Sequence, residues 1–131
     1  RQYMSQIIFK TKKDAIHVDK DNGTSVDYYL FDEFEIHQNI IQPHTVQEWH
    51  YHQQIKEIIV VNKGSLLCHY LENNIPKQRL LQPQEIVCVE NSIHTFENNT
   101  SIPVEFTVFR FVATNKNLQE LIKKDKVVVK I

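Results

Sequence analysis

Short runs of β-branched and aromatic residues, separated by polar turns, make up most of this chain. Clusters of Asp, Asn, Lys and Gly at residues 21–23 and 62–64 are typical turn signals between such runs. The runs predicted to be strands are 7–9, 15–18, 26–31, 35–41, 48–52, 57–61, 65–71, 78–81, 86–90, 94–97 and 104–112. Many short strands at regular spacing predict an all-β sandwich or barrel.

One stretch near the end of the chain has helical periodicity instead. Residues 117–124 place Leu118, Leu121 and Ile122 on one face, which predicts a short C-terminal helix laid against the barrel. The valine run at 127–129 predicts an additional edge strand. A length of 131 residues fits a single domain, so we assign residues 1–131 to one unit whose last part, 113–131, carries this helix and edge segment.

Composition and charge exclude several classes of protein. Fifteen Lys and Arg against sixteen Asp and Glu give a net charge of -1, which is not the electrostatic footprint of a nucleic-acid binder. Only two glycines occur, so glycine-rich phosphate loops are excluded. No apolar run approaches the roughly 20 residues that a membrane-spanning helix needs, and residues 1–9 lack the apolar core of a signal peptide.

The two cysteines, Cys68 and Cys88, lie inside apolar runs. Buried free thiols of a cytoplasmic protein are the expected state, with a single disulfide as the alternative.

The candidate chemistry lies in three histidines and one glutamate. His50 and His52 are two residues apart, a spacing that points both rings to one face of a strand. Glu57 opens an apolar run, where a carboxylate is costly unless it is paired, protonated or coordinated. With His94, these residues form a nitrogen and oxygen site suited to a divalent transition metal such as Fe, Mn, Ni, Co or Zn. Such a set leaves about two positions of an octahedral ion open for water or substrate.

The spacing of these residues resembles the two sequence motifs of the cupin superfamily. The first motif, G-x5-H-x-H-x4-E-x6-G, falls on residues 44–64, and the second, G-x5-P-x-G-x2-H-x3-N, falls on residues 83–98. Every interval is kept, and the resemblance covers about residues 35–112. The metal-ligating positions of the family are matched by His50, His52, Glu57 and His94. The departures, at positions where glycines and a proline are usual, are His44, Pro83, Val89 and Asn91.

The resemblance implies a double-stranded β-helix or jelly-roll barrel with the metal site in its mouth. It also implies a homodimer joined through sheet edges. The predicted edge strands at 7–9 and 26–31 are suited to form that interface. Asn91 is expected to replace a glycine because Asn tolerates positive φ. Glu57 is expected to ligate the metal and also to serve as a catalytic base.

Other polar and aromatic residues leave alternatives open. His44 lies in a turn, where it is either solvated or a contact for a ligand or substrate. Arg110 lies among apolar residues and needs a carboxylate or an anionic ligand. Trp49 and Tyr51 alternate with the metal-ligand positions and are expected to face away from them. Three histidines match no motif position and are interpreted as ordinary strand residues: His17, His37 and His69.

Three functions are consistent with these patterns. The first is a metal-dependent enzyme acting on a small molecule, either a dioxygenase or an isomerase or epimerase. The second is a module that binds a sugar or another metabolite without converting it. The third is a metal-free nucleotide-sugar isomerase, in which His and Tyr handle protons; retention of all four metal-ligand positions argues against this function.

Overall fold

The computed structural model describes residues 6–131, and within them the chain forms ten strands, a short 3-10 turn at Lys12–Asp14 and one α-helix. Their bounds are β1 Ile16–Asp19, β2 Thr24–Leu30, β3 Phe34–Ile41, β4 Thr45–Val46, β5 Ile55–Lys63, β6 Leu66–Glu72, β7 Ile75–Leu81, β8 Ile86–Cys88, β9 His94–Asn98, β10 Val104–Val112 and α1 Gln119–Lys124. The predicted all-β class with one short C-terminal helix is therefore confirmed.

The strands form two sheets that face each other. The six-stranded sheet has the order β1-β2-β3-β10-β5-β8, and the four-stranded sheet has the order β4-β9-β6-β7. All neighbouring strands are antiparallel. Apolar side chains from both sheets meet between them in one core: Ile41, Ile59, Val61, Leu66, Cys68, Leu81, Val89, Phe96, Val104, Phe106 and Val108. This is the jelly-roll arrangement that the sequence predicts; residues 1–5 of the proposed domain 1–131 lie outside the described residues.

Alternation along the central strands also turns polar side chains toward this interior. On β3, His37 and Asn39 are buried on the same face as Ile41. Cross-strand pairing places Val108 beside His37 and Phe106 beside Asn39. The interior of the barrel is therefore apolar at one end and increasingly polar toward the end where β5 begins and β10 finishes.

The chain ends differ from the prediction. The helix forms, but Leu118, Leu121 and Ile122 are 41%, 66% and 62% exposed, so its apolar face does not pack on the barrel. Residues 7–9 and 127–129 form no strand and are exposed. Periodicity shows that a segment has an apolar face, but it does not show that the same chain supplies a surface to cover that face.

The two cysteines have different environments. Cys68 lies on β6 in the core, and burial raises the pKa of its thiol to about 11. Cys88 is exposed, so its predicted burial is wrong, because β8 is the edge strand of its sheet. Both thiols are free. Among residues 6–131, no helix is long and apolar enough to cross a membrane.

Candidate metal centre

Three separate pieces of the chain supply the cluster of histidines and glutamate. Glu57 lies on β5 of the larger sheet, and His94 begins β9 of the smaller sheet. His50 is held against His94 by a pair of backbone hydrogen bonds, with N···O distances of 3.0 and 2.9 Å. His52 follows in the turn that leads into β5. The site therefore spans the two sheets at one end of the barrel.

The predicted strand at 48–52 is wrong, although its two histidines do approach each other. This segment makes only an isolated bridge, between His50 and His94. The reason is topological: the segment carries the chain from β4 in the smaller sheet to β5 in the larger one, so neither sheet can pair with it along its length. The rings of His50 and His52 nevertheless lie with centroids 5.1 Å apart.

The geometry of the cluster fits a metal ion. One candidate ligand atom from each of His50, His52, Glu57 and His94 lies within 4.8 Å of all the others. The Nε2 atoms of His52 and His94 are buried and have no hydrogen-bond partner among the described residues. His52 Nε2 lies 3.1 Å from Glu57 Oε2 without forming a hydrogen bond to it. Buried nitrogens without partners are unfavourable unless another species occupies the space between them.

Backbone carbonyls hold two of the imidazoles in the orientation that a metal requires. His50 Nδ1 donates to the carbonyl of Glu48 at 2.9 Å, and His94 Nδ1 donates to the carbonyl of Ser92 at 2.9 Å. A carbonyl only accepts, so the proton sits on Nδ1 and the lone pair is left on Nε2. The two rings therefore present metal-binding atoms to the cluster.

Burial also keeps two of the candidate ligand histidines uncharged. It lowers the pKa of His52, against the opposing effect of the Glu57 carboxylate. It lowers the pKa of His94 in the same way, against the hydrogen bond to the Ser92 carbonyl. Neutral imidazole is the form that coordinates a metal, so these two rings are ready to bind at neutral pH.

Arg110 forms an ion pair with Glu57. Its Nε and Nη2 atoms donate to Glu57 Oε2 at 3.0 and 2.9 Å, and the two residues are directly paired across β10 and β5. The Glu57 side chain is 6% exposed and that of Arg110 is 35% exposed. Of the two interpretations of Arg110, the salt bridge is the one that the structure shows. The role of Glu57 as a base stays a prediction.

Two neighbouring spaces, which share four lining residues, open beside this cluster. The outer cleft has a volume of about 470 Å³ and is lined by Lys20, Asp21, Asn22, Gln47, Glu48, His50, His52 and Arg110. The inner cavity has a volume of about 90 Å³ and reaches into the barrel past His37, Asn39 and Glu57. Lys20, Gln47, His50 and Arg110 line both spaces.

Seven of the lining residues named above were not proposed as site residues from the sequence: Lys20, Asp21, Asn22, His37, Asn39, Gln47 and Glu48. The alternation in residues 35–41 was a usable signal for two of them, because it places His37 and Asn39 on the face of Ile41. The interpretation of His37 as an ordinary strand residue was therefore incomplete. Lys20 lies in the turn after β1 and Gln47 in the irregular segment after β4, and the sequence carries no comparable periodicity there.

The other candidates lie away from the cluster. His44 is an exposed turn residue with φ of 57°, at a position where the family motif has glycine. Trp49 and Tyr51 are 49% and 56% exposed and line neither space. His17 bonds to Asp19 and Asp27, and His69 bonds to Glu97.

The expected role of Asn91 as a glycine substitute is wrong. Positive φ occurs one residue earlier, at Glu90 with φ of 48°, and Asn91 does not share it. A second positive φ, of 74°, occurs at Gln84, directly after Pro83. Both turns are therefore made without glycine, and His94 still begins β9.

Comparison with solved structures identifies proteins of the same architecture. A sugar phosphate isomerase of the cupin superfamily from Silicibacter pomeroyi matches with a TM-score of 0.60 and 20% identity, over 68% of this chain and 59% of that one. An oxalate oxidase in complex with glycolate matches with a TM-score of 0.66 and 19% identity, over 79% of this chain and 59% of that one. The matched region therefore spans less than two thirds of either protein.

A third match is closer in size. The cupin domain of an XRE-family transcriptional regulator from Enterobacter cloacae matches with a TM-score of 0.56 and 24% identity, over 68% of this chain and 96% of that one. No protein-family model and no curated protein sequence matches the chain. These likenesses establish the fold.

Proposed function

The chain has the cupin fold, and from its histidine and glutamate cluster we propose that it is a metal-dependent enzyme acting on a small molecule. His50, His52, Glu57 and His94 would hold the ion, which is Fe, Mn, Ni or Zn. The metal would polarise a carbonyl or enediol as a Lewis acid or, as Fe(II), activate dioxygen. The reaction is accordingly an isomerisation or epimerisation, or a dioxygenation. A sugar phosphate isomerase and an oxalate oxidase among the matching structures are in keeping with both classes.

The observation that carries this proposal is the pair of buried Nε2 atoms without partners, on His52 and His94. A purely structural histidine in a core would have both nitrogens satisfied. The chain fixes His94 through its Nδ1 bond to a carbonyl, and it fixes Glu57 through two charge-assisted bonds from Arg110. Preorganised ligands of this kind reduce the ordering cost of binding an ion.

An ion held by His50, His52, Glu57 and His94 would lie beside the outer cleft. The cleft's volume of about 470 Å³ lies within the usual range for small-molecule sites, and His50 and His52 line it. A substrate entering there would meet the metal ligands and Arg110 together. The chain's own residues would orient that substrate, and the walls of the cleft would limit its contact with water.

Elemental analysis of protein purified without a polyhistidine tag tests the metal site. We expect close to one transition metal ion per chain in the parent protein and in His17→Ala, whose histidine lies on the exposed strand β1. We expect little metal in His52→Ala, because a site with one ligand fewer binds far more weakly. Circular dichroism establishes that each variant is folded. Full metal content in folded His52→Ala would show that the assignment of the site is wrong.

The identity of the metal then directs the activity assay. Iron points to measurements of oxygen consumption, and Mn, Ni or Zn points to isomerase and epimerase assays. The enzyme proposal requires turnover of at least one substrate by the loaded parent and loss of that turnover in His52→Ala.

A binding module without turnover is a second candidate. The observation that favours it is the match to the cupin domain of a transcriptional regulator. The aligned region covers 96% of that chain and 68% of this one. A ligand that binds the loaded protein and is recovered unchanged after prolonged incubation would favour this function over catalysis.

A further inference from the structure

The inner cavity contains a buried polar group that the metal centre does not use. Asn39 is 7% exposed, and its Nδ2 atom has no hydrogen-bond partner among the described residues. Asn39 lines the same cavity as His50 and Glu57. A buried donor without an acceptor destabilises a folded protein, and groups of this kind often mark a place where a ligand binds. Asn39 Nδ2 is a donor, so a ligand that satisfies it must offer an acceptor atom.

Two cationic side chains line this cavity with Asn39. Lys20 lies in the turn between β1 and β2 and forms no ion pair with any of residues 6–131. Backbone hydrogen bonds from Gly23 N to Lys20 O and from Lys20 N to Thr24 O, at 3.1 and 2.8 Å, hold that turn. Arg110 uses Nε and Nη2 for Glu57, so its Nη1 atom is left to donate elsewhere. The cavity is therefore lined by donors from three separate elements.

The charge balance of the two spaces indicates how much negative charge a ligand can carry. Lys20 and Arg110 contribute two positive charges, and Asp21, Glu48 and Glu57 contribute three negative ones. A divalent metal in the proposed site would leave a net charge of +1. One carboxylate balances that charge, whereas a phosphate monoester dianion exceeds it.

We propose that Asn39, Lys20 and Arg110 form a subsite that binds the carboxylate of a small organic acid beside the metal ligands. The inner cavity, of about 90 Å³, has room for about three water molecules. A carboxylate group with one or two further carbon atoms takes about the same space. The rest of the acid extends into the outer cleft. This inference rests on the proposed function in one respect, that the acid is the substrate of the metal centre.

Isothermal titration calorimetry with matched acids and amides tests the subsite. The probes are the monocarboxylates pyruvate, glycolate and lactate, their neutral counterparts pyruvamide, glycolamide and lactamide, and inorganic phosphate. The proteins are the metal-loaded parent, Asn39→Leu, Lys20→Met and the control Gln38→Leu. Gln38 neighbours Asn39 on β3 but is exposed on the outer face, where it accepts a hydrogen bond from Thr107. The control therefore also replaces a carboxamide by an apolar side chain, but outside the cavity.

We expect at least one acid to bind and its amide to bind about tenfold more weakly or worse. Asn39→Leu should weaken binding of the acid about tenfold or more, because a hydrogen bond to a charged group is lost. Lys20→Met should weaken it about threefold, and less at high salt, because Lys20 is exposed. Gln38→Leu should leave it unchanged. Metal content should be equal in all four proteins, and Asn39→Leu should be no less stable than the parent, since it removes an unsatisfied donor.

Several results would overturn the subsite. They are equal binding of the acid by Asn39→Leu and the parent, equal binding of acid and amide, preference for phosphate over every acid, and no binding of any acid at about 20 mM. Failure of the proposed function is a separate result. If the parent takes up no metal but binds an acid in an Asn39-dependent manner, the subsite stands and the metal-dependent enzyme does not. If metal binds and Asn39 has no effect, the reverse holds.

Discussion

Replacing Arg110 with Met tests how the buried charge of Glu57 is stabilised. In the metal-free protein, Arg110 is the cation bonded to this carboxylate, through Nε and Nη2. Met keeps much of the length of the side chain but cannot donate. The substitution therefore leaves a carboxylate that is 6% exposed without its cation.

The expected loss of stability follows from the burial of the two partners. Removing one member of a fully buried ion pair costs about 3–5 kcal/mol, because the other charge is left uncompensated. Arg110 is 35% exposed, so water screens the pair and compensates part of the loss. We therefore expect the free energy of unfolding to fall by about 2–3 kcal/mol, which for a chain of this size lowers Tm by roughly 6–12 °C.

Urea denaturation of metal-free protein, monitored by circular dichroism, measures this loss. A double-mutant cycle with Glu57→Gln isolates the charge interaction: in the Gln background, Arg110→Met should cost less than about 1 kcal/mol. Arg79→Met is the control, because Arg79 is an exposed arginine on β7 without an ion pair in the described part of the chain. A loss below about 0.5 kcal/mol for Arg110→Met, or an equal loss in the Gln background, would refute the reasoning.

Three further predictions concern pH and backbone conformation. Acid should release half of the metal at a pH below about 6.5, because burial lowers the pKa of His52 and His94 and keeps their rings neutral. Dialysis at a series of pH values, followed by elemental analysis, measures the release. Half-release above about pH 6.5 would contradict this prediction. Burial also lowers the pKa of His37, so below about pH 6.5 the unfolded chain binds more protons than the folded chain, and metal-free protein should lose stability as the pH falls. The urea midpoint should depend less on pH in His37→Gln than in the parent protein. An equal dependence would show that His37 does not contribute to the loss of stability in acid. Gly64→Ala should cost about 1–3 kcal/mol in urea denaturation, since Gly64 has φ of 80° and a Cβ there would lie 3.0 Å from Val104 Cγ2; a neutral result would show that the turn relaxes.

Local sequence was sufficient for most of the strands and for the identity of the clustered residues. The predicted strand at 35–41 differs from β3 by one residue, and the run at 104–112 matches β10. Alternation of apolar and polar residues is a local property, because successive side chains of a strand point to opposite faces. The motif spacing likewise selected His50, His52, Glu57 and His94, which the structure brings together.

Local sequence was not sufficient where a segment changes sheet or needs a partner surface. Residues 48–52 have the pattern of a strand, but they connect the two sheets and pair only at His50. The apolar face of α1 has the expected periodicity and yet stays exposed. Both features depend on which other parts of the chain lie alongside, and the pattern within a segment carries no information about that.

The sequence by itself therefore determined the all-β class, the approximate strands and the four residues that cluster as candidate metal ligands. Tertiary structure decided what surrounds those residues. Arg110 meets Glu57 because the pairing of β10 with β5 sets these two residues opposite each other, across 53 residues of sequence. Asn39 lines the cavity without a hydrogen-bond partner because of how β3 faces the opposite sheet. Strand register and sheet packing are set by contacts between distant residues, so only the folded chain shows which polar groups share the space beside the cluster.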